Sequence, residues 1–198
     1  MSSQQQADAQ EITSLLLAAR NGDDQAYARV IELLYQDMRT IARAIARDPA
    51  ATLNPTALLH ETYLKLSAAS AQRPLNREHF LAVAARAMRQ VLCNHARDKV
   101  AQKRGGNAAH VALDGDSATV LFQADRLLDL DRALNRLERD DPNLSRVMEC
   151  RMFAGMTDQE TATALDLPLR TLQRQHADAR SRLRAMLVEF EGAGSSLE

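Results

Sequence analysis

Apolar residues recur every three or four positions along most of the chain, which is the spacing that lines one face of an α-helix. The longest stripe covers residues 27–45, and others cover residues 58–66 and 80–95. The stripe at 58–66 consists of Leu58, Leu59, Thr62, Tyr63 and Leu66. The sequence shows neither the alternating pattern of strands nor an internal repeat. We therefore expect an all-α fold.

Residues that favour caps and turns mark the ends of these stripes. The segment from Asn21 to Asp24 ends one helix and caps the next, and Asn54 followed by a proline begins another. The helical pattern stops at two glycines and resumes only near residue 124. We therefore expect two helical domains, residues 8–104 and 124–191, joined by a flexible linker at residues 105–123, with a short extended piece near residues 109–113.

The composition also supports an all-α fold. Of the 198 residues, 45% are hydrophobic and only 4% are aromatic, so strand-forming residues are scarce. No apolar run approaches the roughly 18 residues that a membrane span needs, and the first residues lack the basic and apolar regions of a signal peptide. We expect a cytoplasmic protein with no membrane partner.

The formal net charge of −1 hides an uneven distribution. Residues 86–104 contain six basic residues and one acid, and residues 169–185 contain five basic residues and one acid. Between them, residues 111–149 contain nine acids and five arginines. Two basic segments on either side of an acidic one favour a protein that binds nucleic acid at two places, because phosphate-binding surfaces need clustered positive charge.

Residues 155–187 predict a helix-turn-helix. Thr157 and Glu160 form a capping box at the start of a short helix. Asp166 lies in a tight turn, and Pro168 begins a long basic helix. The residues expected to face inward on this helix are Leu169, Leu172, Ala179, Leu183 and Leu187.

The second helix of such a motif enters the major groove and presents its first residues to base edges, where Arg and Gln suit guanine and adenine. The residues expected to face DNA are Arg170, Thr171, Gln173, Arg174 and Gln175. The alternative is an ordinary αα-hairpin with a solvated arginine face.

Three blocks of the sequence resemble bacterial extracytoplasmic-function (ECF) sigma factors. Residues 155–183, beginning GMTDQETATAL, are similar without a gap to the last conserved region of that family. The segment ALLHETYL at residues 57–64 is similar to the family's D-L-V-Q-E-[TA]-[FY]-L. Residues 80–97 end on Asn-His-Ala-Arg, where the family has [DN]-H-x-R. The blocks stand in the family's order and cover most of the chain.

The resemblance implies a two-domain sigma factor that confers promoter specificity on RNA polymerase. Residues 8–104 would form the four-helix sigma region-2 domain, which binds core RNA polymerase and reads the minus-ten element. Residues 124–191 would form the helix-turn-helix sigma region-4 domain, which reads the minus-thirty-five element. The implied partners are core RNA polymerase and promoter DNA, and in many relatives also an anti-sigma factor.

The resemblance also assigns three groups of site residues. The group for the upstream element is Arg170, Thr171, Gln173, Arg174, Gln175, Asp178, Arg180 and Arg182. The group for the downstream element is Arg86, Arg89, Gln90, Asn94, Arg97, Lys99, Lys103 and Arg104. The polymerase-binding group is His60, Glu61 and Lys65.

Two departures from the family pattern affect the DNA-binding groups. Asp178 stands where many relatives carry a basic residue, so we expect a different recognised sequence. Phe80 is the only aromatic residue on its helix, so we expect strand opening either to rest on pocket shape and polar contacts or to be weak. Stacking on aromatic side chains contributes about 1–3 kcal/mol per base where it occurs.

No enzymatic activity, cofactor or metal site is expected. The sequence contains no Ser-His-Asp order, phosphate-binding glycine loop or Glu-x-x-His pair. Cys93 and Cys150 are not spaced as a zinc site or a disulfide framework, and His176 is expected to be structural. Two other classes stay open: a stand-alone helix-turn-helix transcriptional regulator, and a helical adaptor that binds only proteins.

Overall fold

The computed structural model describes residues 3–45, 53–68, 74–105 and 115–195. These residues form eight α-helices and no strand, which confirms the all-α prediction for the described part of the chain. The helices are α1 (Ser3–Arg20), α2 (Asp24–Ile45), α3 (Pro55–Ala68), α4 (Arg77–Gly105), α5 (Gly115–Asp140), α6 (Pro142–Phe153), α7 (Asp158–Ala164) and α8 (Leu169–Ser195).

The predicted caps are present at the starts of α2 and α3. Asp23 Oδ1 accepts a hydrogen bond of 2.9 Å from the amide of Ala26, after a turn in which Gly22 has a φ of 102°. Asn54 Oδ1 accepts one of 2.8 Å from the amide of Ala57. Each cap satisfies an amide that has no partner within its own helix, and so fixes where the helix begins.

One hydrophobic core runs through both halves of the chain. In the first half of the chain, Phe80 of α4 is fully buried, and its ring centroid lies 6.4 Å from that of Tyr27. Leu134 of α5 and Leu144 of α6 belong to the same buried cluster. Helix α4 packs against α3 on one side and against α5, α6 and α7 on the other. It is therefore the element that joins the two halves.

The predicted linker differs from the structure in its second part. Helix α5 begins at Gly115, so residues 115–123 are helical, where the sequence predicts an irregular linker. A helix that is already nucleated adds one hydrogen bond per residue as it grows, so α5 extends beyond its packed part despite a weak apolar period. The extended piece expected at residues 109–113 lies outside the described residues. The division into residues 8–104, 105–123 and 124–191 stays a prediction.

The helix-turn-helix has the predicted local geometry. The capping box of Thr157 and Glu160 is complete, and Asp166 takes the left-handed conformation with a φ of 53°. Asp tolerates that conformation better than most residues because its short polar side chain bonds locally. Leu169, expected to face inward, is instead 39% exposed, because the packed face of α8 begins at Leu172.

The capping box predicts a pH-dependent contribution to stability. Hydrogen bonds from the amide and hydroxyl of Thr157 lower the pKa of Glu160 below its ordinary value of 4.5. A carboxyl group whose pKa is lower in the folded state than in the unfolded state stabilises the fold at pH values above its unfolded-state pKa. This contribution disappears as the pH falls through the folded-state pKa. Glu160→Gln keeps the cap geometry but removes the negative charge at the start of the helix. We therefore expect it to lower the free energy of unfolding by about 0.3–1 kcal/mol at neutral pH and by less in acid. Urea unfolding at several pH values measures this, with exposed Gln159→Ala as control.

Candidate nucleic-acid interface

The first turns of α8 present polar side chains to solvent. Arg170, Gln173 and Arg174 are exposed, and Thr171 and Gln175 are half-buried. These five are the residues predicted to face base edges, and they lie together at the start of the second helix of the motif. Exposed Arg and Gln side chains in this position have the donors and acceptors needed for bidentate contact with guanine and adenine.

An apolar contact fixes the direction of α8. Leu172 is fully buried against Val147 of α6 and Ala162 of α7. The buried hydroxyl of Thr161 donates to the carbonyl oxygen of Thr157 at 2.8 Å, and Arg151 donates to the carbonyl oxygen of Met156. The exposed face of α8 is therefore carried by a packed scaffold, as a recognition surface requires.

Farther along α8, an ion pair within the helix changes the predicted phosphate contacts. Asp178 and Arg182 lie one turn apart, and Arg180 and Arg182 are both exposed. Arg182 Nε donates to Asp178 Oδ1 at 3.0 Å, and Arg182 Nη2 lies 2.9 Å from Asp178 Oδ2. A phosphate group must therefore compete with Asp178 for Arg182.

His176 has the structural position expected for it. It is half-buried, and its Nδ1 lies 3.6 Å from Asp158 Oδ1 at the start of α7. Burial lowers the pKa of His176, and the positive charge of Arg151 lowers it further. The imidazole is therefore mainly neutral at neutral pH and contributes to the packing between α7 and α8.

The basic face of α4 is already engaged with the second half of the chain. Arg89, predicted to contact DNA, has only 5% of its side chain exposed. It pairs with Asp131 of α5 at 2.8 Å and with Glu149 of α6 at 2.6 Å. It also donates to Asn135 Oδ1 at 2.7 Å. In this arrangement Arg89 cannot reach a nucleic acid, so the structure does not place it where the sequence predicts.

Arg86 and Arg97, which lie on either side of Arg89 in the sequence, both make ion pairs to α5. Arg97 pairs with Asp131 at 2.6 Å, and Arg86 pairs with Glu138 at 2.7 Å. A polar cavity of about 140 Å³ lies between these side chains. Of the other residues predicted for the downstream element, those exposed on α4 are Gln90, Asn94 and Lys99. The side chains of Lys103 and Arg104 lie outside the described part of the structure.

The sequence prediction missed the acidic side of this cluster. Asp131 occurs in an apolar stripe beside Leu127, Leu130 and Leu134, and Glu149 occurs between a methionine and a cysteine. A carboxylate at a position whose helical neighbours are apolar indicates a buried charge that needs a partner. That signal is present in the sequence for Asp131, but it is weaker for Glu149, whose neighbours one turn earlier are Ser145 and Arg146.

The predicted polymerase-binding residues lie on α3. His60 and Lys65 are exposed, and Glu61 Oε1 lies 2.7 Å from His95 Nε2 of α4. Tyr63, predicted to lie in the apolar stripe, is instead 41% exposed, and the neighbouring Leu64 is 65% exposed. These two side chains expose apolar surface on α3 close in sequence to the exposed His60 and Lys65.

Metal-binding clusters and membrane-spanning helices are both absent from the described residues. These residues contain no group of three or more His, Cys, Asp or Glu side chains that could hold a metal ion. None of the helices in that part of the chain is both long and apolar enough to span a membrane. Cys93 and Cys150 are buried free thiols, and burial raises the pKa of each to about 12.

Comparison with known proteins identifies the family. No curated protein and no solved structure gave a significant match. A family model described as "ECF sigma factor" matches residues 9–189, which include the helix-turn-helix, the basic face of α4 and the exposed face of α3. That family consists of non-enzymatic transcription factors with a role in transcription initiation. Because the match spans nearly the whole sequence, this chain belongs to the ECF sigma factor family.

Proposed function

We propose that this protein binds core RNA polymerase and directs it to promoters that carry two separate elements. Residues 124–191 read the upstream element as duplex DNA, and residues 8–104 bind the polymerase and hold the downstream element. The observation that carries the proposal is the exposed polar face at the start of α8, held on a packed helix-turn-helix within a chain of this family.

The outer face of α3 supports the polymerase contact. Tyr63 and Leu64 expose apolar surface that nothing in the described structure covers, and His60 and Lys65 lie beside them. Apolar and aromatic side chains surrounded by polar ones are the usual composition of an interface centre and its rim. The protein's part in transcription is binding and positioning, while the polymerase supplies the chemistry.

Run-off transcription with core polymerase tests the proposal. A library of random promoter sequences should yield transcripts from templates that share two elements at a fixed spacing, and only when this protein is present. A stand-alone regulator would instead bind a duplex tightly without polymerase and leave transcription by core polymerase unchanged. A protein-binding adaptor would show no salt-dependent affinity for DNA.

Arg174→Ala tests base reading by α8. We expect it to cost about 1–3 kcal/mol of binding to the preferred upstream element and to relax the base preference at one position. Arg180→Ala removes the same charge from the same helix. It should weaken binding to all promoter sequences by a similar factor, because contacts to phosphate carry no sequence information. Binding of the holoenzyme to a set of single-base variants separates the two effects. If both substitutions reduced binding equally for every single-base promoter variant, the role of Arg174 in base reading would be contradicted.

A further inference from the structure

We propose that His95 is a positioning residue for polymerase binding, which holds the carboxylate of Glu61 in the orientation that the polymerase meets. This inference rests on the proposed function, because it requires that α3 binds core RNA polymerase. His95 belongs to none of the three groups of predicted site residues, and it lies on α4 rather than on α3. The proposal therefore extends the polymerase site to a residue on a second helix.

A hydrogen bond joins the two side chains where α3 packs against α4. Glu61 Oε1 lies 2.7 Å from His95 Nε2. An ionised carboxylate can only accept hydrogen bonds, so Nε2 is the ring nitrogen that carries the proton in this contact. Such a short distance is usual where a nitrogen donates to a charged carboxylate. The contact therefore fixes one oxygen of Glu61 by a directional bond.

Glu61 is held by His95 rather than by the nearest cation on its own helix. Lys65 lies one turn later on α3, at the spacing at which a glutamate and a lysine commonly pair. Among the described residues, however, the ion pair of Glu61 is with His95, and Lys65 has no ion pair. The second oxygen of Glu61 also accepts no hydrogen bond from a described residue. Both this oxygen and the amine of Lys65 are therefore available to a partner.

The contact between His95 and Glu61 is open enough to act at an interface. The exposed fraction is 43% for the side chain of Glu61 and 30% for that of His95. Partly exposed pairs of this kind contribute little to folding stability. The packing of α3 is supplied instead by its buried residues, which are Leu58, Leu59, Thr62 and Leu66. We therefore expect loss of the contact to change binding more than stability.

Holding Glu61 in advance favours binding of the polymerase. A free glutamate side chain populates several rotamers, and an interface that uses it must select one of them. Where a contact within the protein has already selected that rotamer, this loss of conformational entropy occurs on folding and not on binding. His95 would thus raise the affinity for polymerase without touching it.

His95→Met and His95→Gln form a matched pair of variants that tests the proposal. Their side chains have nearly the same length and similar helix propensity, but only glutamine keeps an N–H donor near the position of Nε2. We measure the affinity of each full-length variant for core RNA polymerase by fluorescence titration, and the free energy of unfolding in urea. His95→Ala is a second variant without the donor.

We expect His95→Met and His95→Ala to bind core polymerase roughly threefold to tenfold more weakly than the unaltered protein, which is the effect of one side chain that must be immobilised on binding. His95→Gln should recover most of the lost affinity, and the free energy of unfolding should differ little between the methionine and glutamine variants. Unchanged affinity in the variants without the donor would refute the positioning role, as would an equal loss in His95→Gln.

A double-mutant cycle with Glu61→Ala shows whether His95 acts through Glu61. In the Glu61→Ala background, His95→Met should cause no further loss of affinity. A loss of the same size in both backgrounds would mean that His95 acts independently of Glu61, and the proposal would be wrong. If the unaltered protein does not bind core polymerase, the proposed function is contradicted and this inference with it. If it binds equally well with and without the donor, only the role of His95 is contradicted.

Discussion

Replacing Arg89 with methionine is expected to lower the free energy of unfolding by about 3–5 kcal/mol at neutral pH. The methionine fills much of the space of the arginine stem but leaves Glu149 without a cation, since Arg89 is the residue that pairs with it. Asp131 retains Arg97, so most of the loss comes from Glu149. Urea unfolding followed by circular dichroism measures the change.

Two comparisons separate this effect from a general loss of charge. Arg132→Met removes an arginine whose ion pair with Asp129 is on the surface, and should cost less than about 1 kcal/mol. The penalty of Arg89→Met should shrink in acid, because a buried carboxylate without a cation takes up a proton more readily. Equal costs in the two variants, or a penalty independent of pH, would contradict the assignment of the loss to a buried Glu149 without a cation.

Replacing Phe80 with alanine is expected to lower the free energy of unfolding by about 3–5 kcal/mol, the usual cost of removing a fully buried aromatic ring. Phe80 is the largest side chain among the fully buried residues of the described core, and its ring makes a tilted contact with Tyr27. The substitution removes this contact and leaves a cavity between α2 and α4. Thermal and urea unfolding both report the loss.

Phe80→Leu is the control that separates packing from DNA binding. It keeps most of the buried volume, so we expect a cost nearer 1 kcal/mol. Because Phe80 is 0% exposed, it cannot stack on a base, and Phe80→Leu should leave the affinity of the holoenzyme for an opened promoter unchanged. A selective loss of that affinity, with stability nearly preserved, would mean that the ring leaves the core when DNA binds.

The sequence predicts the local structure well where the signal is local. The capping box at Thr157 and the left-handed turn at Asp166 depend on residues within a few positions of each other, and both occur as expected. The face of α8 follows from a 3.6-residue period, which places Leu172 inside and Arg174 outside. Leu169 breaks that rule because a helix's first turn projects beyond the element that covers the rest of it.

Contacts between distant segments are what the sequence does not predict. The periodicity of α4 places Arg89 beside Ala85 and Cys93 but does not reveal that a carboxylate more than 40 positions away neutralises it. An arginine in a basic segment looks the same in sequence whether it meets DNA or Asp131. Tyr63 is a similar case, because an aromatic residue at core spacing is buried only where a second element covers it, and the described elements leave 41% of Tyr63 exposed.

The internal neutralisation of α4 bears on how the protein would behave in a cell full of chromosomal DNA. Non-specific affinity for DNA depends on the number of cations that a protein can offer to phosphates, and a genome presents about a million or more competing sites. Arg89 is buried in its ion pairs and is not offered to phosphates. Arg86 and Arg97 are half-exposed, so a phosphate must compete with Glu138 and Asp131 for them. Under the proposed function, copies not yet bound to polymerase would therefore be sequestered less along the chromosome.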